Sequence, residues 1–157
     1  MDFSKFEETL GLSFNNKALL RQAFTHRSYI NENRSSGLAH NERLEYLGDA
    51  VLQLVTTDFL FRKFPEKDEG ELTSIRSALV NADTCAEVAK SLSMNDFLLL
   101  SKGESKDTGR ARQYILANTF EAIIGAIYLD RGYNEAVNFI NKHITPLTEA
   151  IVEGGTW

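Results

Sequence analysis

The sequence predicts an all-α fold, and three observations carry that prediction. Residues 40–64 and 115–130 repeat their apolar positions at helical spacing over several turns. Around them, shorter segments open on capping residues such as Asn16 and Asn81 and close at Gly11, Pro65 or Pro146. The 157 residues, 43% hydrophobic and 25% charged, have the length and composition of one globular domain spanning 1–157, without repeats or low-complexity tracts. The lone Cys85 excludes an internal disulfide and a thiolate zinc cluster, and reads as a buried packing residue. No apolar run approaches the roughly 18 residues of a membrane span, and the start lacks a basic-then-apolar leader. A cytoplasmic protein without a membrane partner is therefore expected.

Taken in order, residues 2–10 form a short helix with Phe3, Phe6 and Leu10 on one side, ended by Gly11. Asn15 or Asn16 caps a second helix carrying Leu19, Leu20, Ala23 and Phe24. His26 follows, read as a hydrogen-bonded structural histidine in preference to a catalytic base. Residues 31–39 form a polar loop, and a long helix runs from about His40 to Phe64, stopped by Pro65. After a charged turn over 65–70, Leu72, Ile75, Leu79 and Val80 continue a helical pattern, and Asn81 or Asp83 caps the next helix, with Val88 and Leu92. Residues 101–112 read as a polar loop. Lys102, Lys106, Arg110 and Arg112 against Glu104 and Asp107 give it a charge of +2, suited to phosphate contacts or simply to solvent. The last helix starts near Asn134, carries Ala136, Val137 and Ile140, and is interrupted at Pro146.

The two long helices carry the chemistry. Glu42, Glu45 and Asp49 share one stripe, within about 60° of arc, opposite Leu44, Leu47, Val51, Leu54 and Val55. Stacked carboxylates repel, so either a cation sits against them or they form a solvated acidic face. On 115–130, Leu116, Phe120, Ile123 and Ile127 make the apolar stripe, with Asn118, Glu121 and Gly125 opposite. A glutamate on so apolar a helix is costly unless paired or metal-bound. Gly125 gives up about 1 kcal/mol of helix propensity against Ala, which points to a close approach by another backbone. If the polar stripes face each other, Glu45, Asp49, Asn118 and Glu121 converge as an all-oxygen set suited to magnesium.

HNERLEYLGDAVL at 40–52 resembles the signature motif of the ribonuclease III family, and ILANTFEAIIGAIYLD at 115–130 resembles that family's second acidic helix. AFTHRSY at 23–29, FPEKDEGELTSIRSALV at 64–80 and the GES…GR segment at 103–110 follow in the expected order. The resemblance implies an all-α endonuclease domain that forms a homodimer and cuts double-stranded RNA with magnesium, manganese being a substitute. The products would carry 5′ phosphates, 3′ hydroxyls and short 3′ overhangs. It assigns Glu45, Asp49, Asn118 and Glu121 to the metal, with Asp49 and Glu121 catalytic. Glu42 and Glu69 would edge the cleft, Arg110 and Arg112 would lie near RNA, and Tyr46 would be an aromatic knob plugging a socket in the partner. Glu69 is equally well read as an ordinary helix N-terminal carboxylate.

Asn118 departs from the family's usual aspartate. It is either a natural variant or a change that blunts cleavage, so a weakened or inactive RNA-binding scaffold is the competing expectation. A pure dimerisation module leaves Glu121 unexplained. The net charge of −5 equals the charge of Glu42, Glu45, Asp49, Glu69 and Glu121 together, since 22 acidic residues less these five match the 17 basic ones. Weak RNA binding is expected in consequence. The chain reaches residues 154–157 about where bacterial family members enter a linker to a double-stranded-RNA-binding domain, and no such domain is expected within 1–157.

Overall fold

In the structure, a computed structural model describing residues 1–155, two 22-residue helices cross and the shorter helices pack around them. The order is α1 Ser4–Leu10, α2 Lys17–Ala23, α3 Arg27–Glu32, α4 Glu42–Lys63, α5 Glu69–Val80, α6 Ala82–Ser91, α7 Lys102–Lys106, α8 Arg110–Arg131, α9 Tyr133–His143 and α10 Thr148–Gly154. Short 3-10 turns occupy Arg34–Ser36, Met94–Phe97 and Thr145–Leu147. Thr156 and Trp157, the end of the expected linker entrance, lie outside the described residues. The all-α expectation holds, with one isolated bridge between Thr25 and Leu99. Among the described residues no helix is long and apolar enough to cross a membrane.

Capping residues set the helix starts. Asn16 accepts from the backbone N–H groups of Ala18 and Leu19, Asp68 from that of Glu71, Asn81 from that of Thr84 and Ser101 from that of Glu104. Gly11 closes α1 at φ +67°, in the left-handed region. The interruption expected at Pro146 is the 3-10 turn between α9 and α10.

Two short helices lie where the sequence pattern predicts none. Residues 27–32 form α3, capped by the His26 side chain, and the 101–112 segment contains all of α7 and the first turn of α8. Both are single turns held by caps, too short for a periodic pattern to announce them.

α8 is the axis of the core, packed by α4, α6, α9 and α2. Phe120, Ile123, Ile124 and Ile127 are fully buried on it. Against α8, α4 presents Leu44, Gly48, Val51, Leu52 and Val55. This face is rotated from the expected stripe. Leu54 stands outside at 56% exposure, because α8 approaches α4 over Gly48 and not over Leu47 and Leu54.

Candidate active site at the crossing of the two long helices

α4 and α8 touch backbone to backbone. A Cβ on Gly48 would collide with the carbonyl oxygen of Glu121, and one on Gly125 would collide with that of Leu44. The close approach expected at Gly125 is therefore met by a second glycine that sequence reasoning passed over. The same signal was available for Gly48: a glycine inside a long helix gives up propensity and needs a packing reason.

The crossing brings Glu45 and Asp49 of α4 to Asn118 and Glu121 of α8. Glu45 and Asn118 line a cleft of about 600 Å³, and Asp49 and Glu121 stand one turn farther along each helix. Burial pushes the Glu121 carboxyl up to about 9, and the adjacent Asp49 carboxylate reinforces this by hydrogen bond and charge, with Glu45 adding to it. Glu45 is raised by its own burial and by Glu42 and Asp49. Cys85 on α6 feels the same charges. Burial, then Glu121 and Asp49, hold its thiol at about 12, so it is a neutral packing group, as expected.

What is missing is positive charge. Among the described residues no basic side chain pairs with Glu45, Asp49 or Glu121; on the same stripe Glu42 stands 3.9 Å from Arg27 and 3.8 Å from Nδ1 of His40. An all-oxygen donor set that is mutually repelling, half-buried at Glu45, Asn118 and Glu121, and short of a counter-charge fits a hard divalent cation. Its side chains are not drawn together: among the described residues, no three His, Cys, Asp or Glu groups stand close enough to hold an ion as they are.

A family model described as ribonuclease-III-like matches residues 16–147. The chain belongs to that family. It is 48% identical over 146 residues to Ribonuclease 3 of Oceanobacillus iheyensis and 44% identical over 148 residues to Ribonuclease 3 of Listeria monocytogenes. These alignments cover 93% and 94% of this chain but 64% and 65% of those proteins, so the chain spans just under two thirds of the curated relatives it matches. The nuclease domain of ribonuclease III from Campylobacter jejuni superposes with a TM-score of 0.83 at 41% identity, covering 92% of this chain and 97% of that one. Dicer from Pichia stipitis gives 0.65 at 29% identity, over 88% of this chain and 58% of that one.

Within this ribonuclease III fold, the other expected site residues divide. Glu42 lines the cleft. Tyr46 is 84% exposed, so it does not pack into its own chain. Arg110 is exposed at the start of α8. Arg112 corrects the expectation of an RNA contact: it is 8% exposed, and its guanidinium donates to the Asn95 side chain at 2.8 Å and to the carbonyls of Glu104 and Ser105. An arginine spent on two backbone carbonyls pins α7 to α8 and leaves little for phosphate. Glu69 opens α5 and borders a different groove, with Thr57, Phe61 and Leu72. Thr57 is twelve residues along α4 from Glu45, about 18 Å at the helical rise.

Two further residues shape the cleft. Asn41 is buried and donates from its amide to the Ala23 carbonyl at 2.9 Å, while its N–H donates to the Thr25 carbonyl at 2.9 Å, which fastens the start of α4. His26 and Ser28 of the opposite wall bond each other and, through Ser101, the start of α7. A polar residue ahead of a helix start is too common a pattern to have marked Asn41.

Proposed function

We propose that the chain is a metal-dependent endoribonuclease domain that cuts double-stranded RNA as a homodimer, leaving 5′ phosphates, 3′ hydroxyls and short 3′ overhangs. The observation that carries this reading is the meeting of carboxylates at a backbone-tight helix crossing, Glu45 and Glu121 half-buried and Asp49 exposed, without a basic partner among the described residues. Glu45, Asp49 and Glu121, with Asn118 at the fourth position, would hold magnesium, with manganese as its substitute. When bound, the ion supplies Lewis-acid activation of water and neutralises charge on the phosphate. Glu45 and Asn118 face the cleft where the scissile phosphate would enter, and Glu42 forms its rim with Arg27. Glu121 holds a proton at neutral pH in the metal-free protein and must release it to act as a ligand or a base.

The homodimer reading rests on α4. Tyr46, Leu54 and Phe61 are all exposed and share one face, an apolar surface left over after the core is packed. The groove beside Phe61 lies at the opposite end of the same helix from Tyr46. A two-fold pairing of α4 helices would seat the Tyr46 side chain of one copy there, and would carry Glu69 of the groove rim toward the other copy's carboxylates. The related Campylobacter jejuni nuclease domain is itself described as having a region involved in dimer formation.

The test is cleavage of a plain RNA duplex with magnesium against a chelator control. Glu121→Gln and Asp49→Asn should each nearly abolish turnover without loss of helical signal, and Asn118→Asp should lower the magnesium concentration for half-maximal rate. An amide oxygen attracts a hard cation less than a carboxylate does, which keeps a weakened site in contention. A parent that is dead at every magnesium concentration and revived only by Asn118→Asp would establish that second reading. If Glu121→Gln cuts as well as the parent, the metal assignment falls.

A further inference from the structure

We propose that His26 is a sugar-binding residue of the cleft, presenting its Nε2–H as a donor to a ribose 2′-hydroxyl of the RNA. The inference rests on the RNA-cleaving reading above and adds to it a means of telling RNA from DNA.

The tautomer follows from the hydrogen bonds. Nδ1 of His26 accepts from the backbone N–H of Ser28 at 3.1 Å, and a backbone amide always carries its proton, so Nδ1 carries none. The Ser28 hydroxyl lies 2.8 Å from the same nitrogen and itself accepts from the backbone N–H of Ser101 at 2.9 Å, which leaves its own proton to point at Nδ1. Two donors converge on one ring nitrogen, and the neutral ring keeps its proton on Nε2. Burial holds the imidazole below its ordinary range, against an opposing pull from Glu104. Nε2 has no partner among the described residues and is not one of the atoms sealed from solvent, and His26 lines the cleft that Glu45 and Asn118 share.

The surroundings choose the acceptor. The cleft lining sets Glu42, Glu45 and Glu104 against one arginine, Arg27, whose guanidinium faces Glu42. A phosphate oxygen can only accept, and on this wall it would stand among carboxylates. A 2′-hydroxyl can accept from Nε2–H and pass its own proton to a carboxylate such as that of Glu104.

His26→Asn separates the two roles of the ring. The Asn amide oxygen takes the place of Nδ1 and can still cap α3, but nothing stands at Nε2. Binding of the full chain to a short RNA duplex is measured at low salt, with calcium in place of magnesium. A parallel series of duplexes carries one 2′-deoxynucleotide moved stepwise through the cleaved region. His26→Asn should weaken binding to the all-ribose duplex by about 3- to 10-fold, the worth of one hydrogen bond. At one position the deoxy substitution should cost the parent the same factor and the variant nothing. His26→Gln, whose amide nitrogen reaches toward the place of Nε2, should keep that positional penalty. Equal deoxy penalties in parent and His26→Asn at every position would overturn the contact, as would coupling to a methylphosphonate in place of a deoxynucleotide. A parent that binds no duplex would bring down the RNA-cleaving reading and this one with it. Lost coupling in a parent that binds and cuts overturns the His26 contact alone.

Discussion

α4 and α8 are equal in length and unequal in situation. Twelve residues of α8 are buried and they surround the helix, whereas seven of α4 are buried and they keep to one side. Both helices are rich in apolar residues, but most of those on α8 serve the core, Tyr114 near its start and Leu129 near its end being the large exposed ones. On α4 they divide between the core-facing Leu44, Val51, Leu52 and Val55 and the outward Tyr46, Leu54 and Phe61. The acids are divided in the same sense, with Glu121 the more buried and Glu42 and Asp49 exposed. Apolar content alone therefore does not say what a helix packs against. The same composition encodes a core axis in one case and a core boundary with a surface to spare in the other.

The largest effects should come where the two helices are most alike. Gly125→Val and Gly48→Ala each force a side chain into the other helix's backbone and should cost at least about 3 kcal/mol, the upper range for overpacking, read by urea unfolding. A Gly48→Ala protein of parental stability would show that the helices can part without penalty.

Next come two phenylalanines of opposite setting. Phe120→Ala on α8 should cost about 3–5 kcal/mol of stability. Phe61→Ala on α4, where the ring is 71% exposed, should change the stability of a single chain by less than about 0.5 kcal/mol. Light scattering of Phe61→Ala and Tyr46→Ala should instead move toward the mass of one chain. Comparable unfolding losses at Phe120 and Phe61 would erase the distinction between axis and boundary.

A pH dependence distinguishes the acids. In chelator, folded Glu121 keeps until about 9 a proton that the unfolded chain releases near 4.5. Its contribution to stability is thus complete below that lower value and is lost as the pH rises through the folded one. Thermal melts of the metal-free protein from pH 5 to 9 should show this decline. Glu121→Gln on α8 should remove most of it and Glu45→Gln on α4 a smaller part, since Glu45 is raised by burial and by the charges of Glu42 and Asp49 without the Asp49 hydrogen bond that Glu121 has. Equal flattening by both would mean that burial does not separate them.

Much of this was legible in the sequence because it depends on local pattern. The acid stripe of α4, the cost of Glu121 on an apolar helix and the close approach at Gly125 all follow from spacing and propensity, and the crossing realises them together. The misreadings have a common origin in contacts made by residues far apart in sequence. Arg112 sits in a charged segment and reads as surface, yet Asn95 and two carbonyls of α7 enclose it. Leu54 fits the apolar stripe of α4 as well as Val55 does, and only the line of approach of α8 puts one outside and the other in. α3 and α7 are held by His26 and Ser101 caps and by the Ser28–Ser101 bond, none of which a hydrophobic pattern records.

The glycine pair at the crossing has a consequence for tolerance. Where two helices are spaced by interleaved side chains, their separation follows the volumes of those side chains, and each core substitution shifts it a little. Between Gly48 and Gly125 the main chains themselves are the spacer. The distance from the carboxylates of α4 to those of α8 is thereby metered by atoms that no substitution elsewhere can enlarge or shrink. The surrounding core is free to drift in sequence while the gauge of the site stays the same.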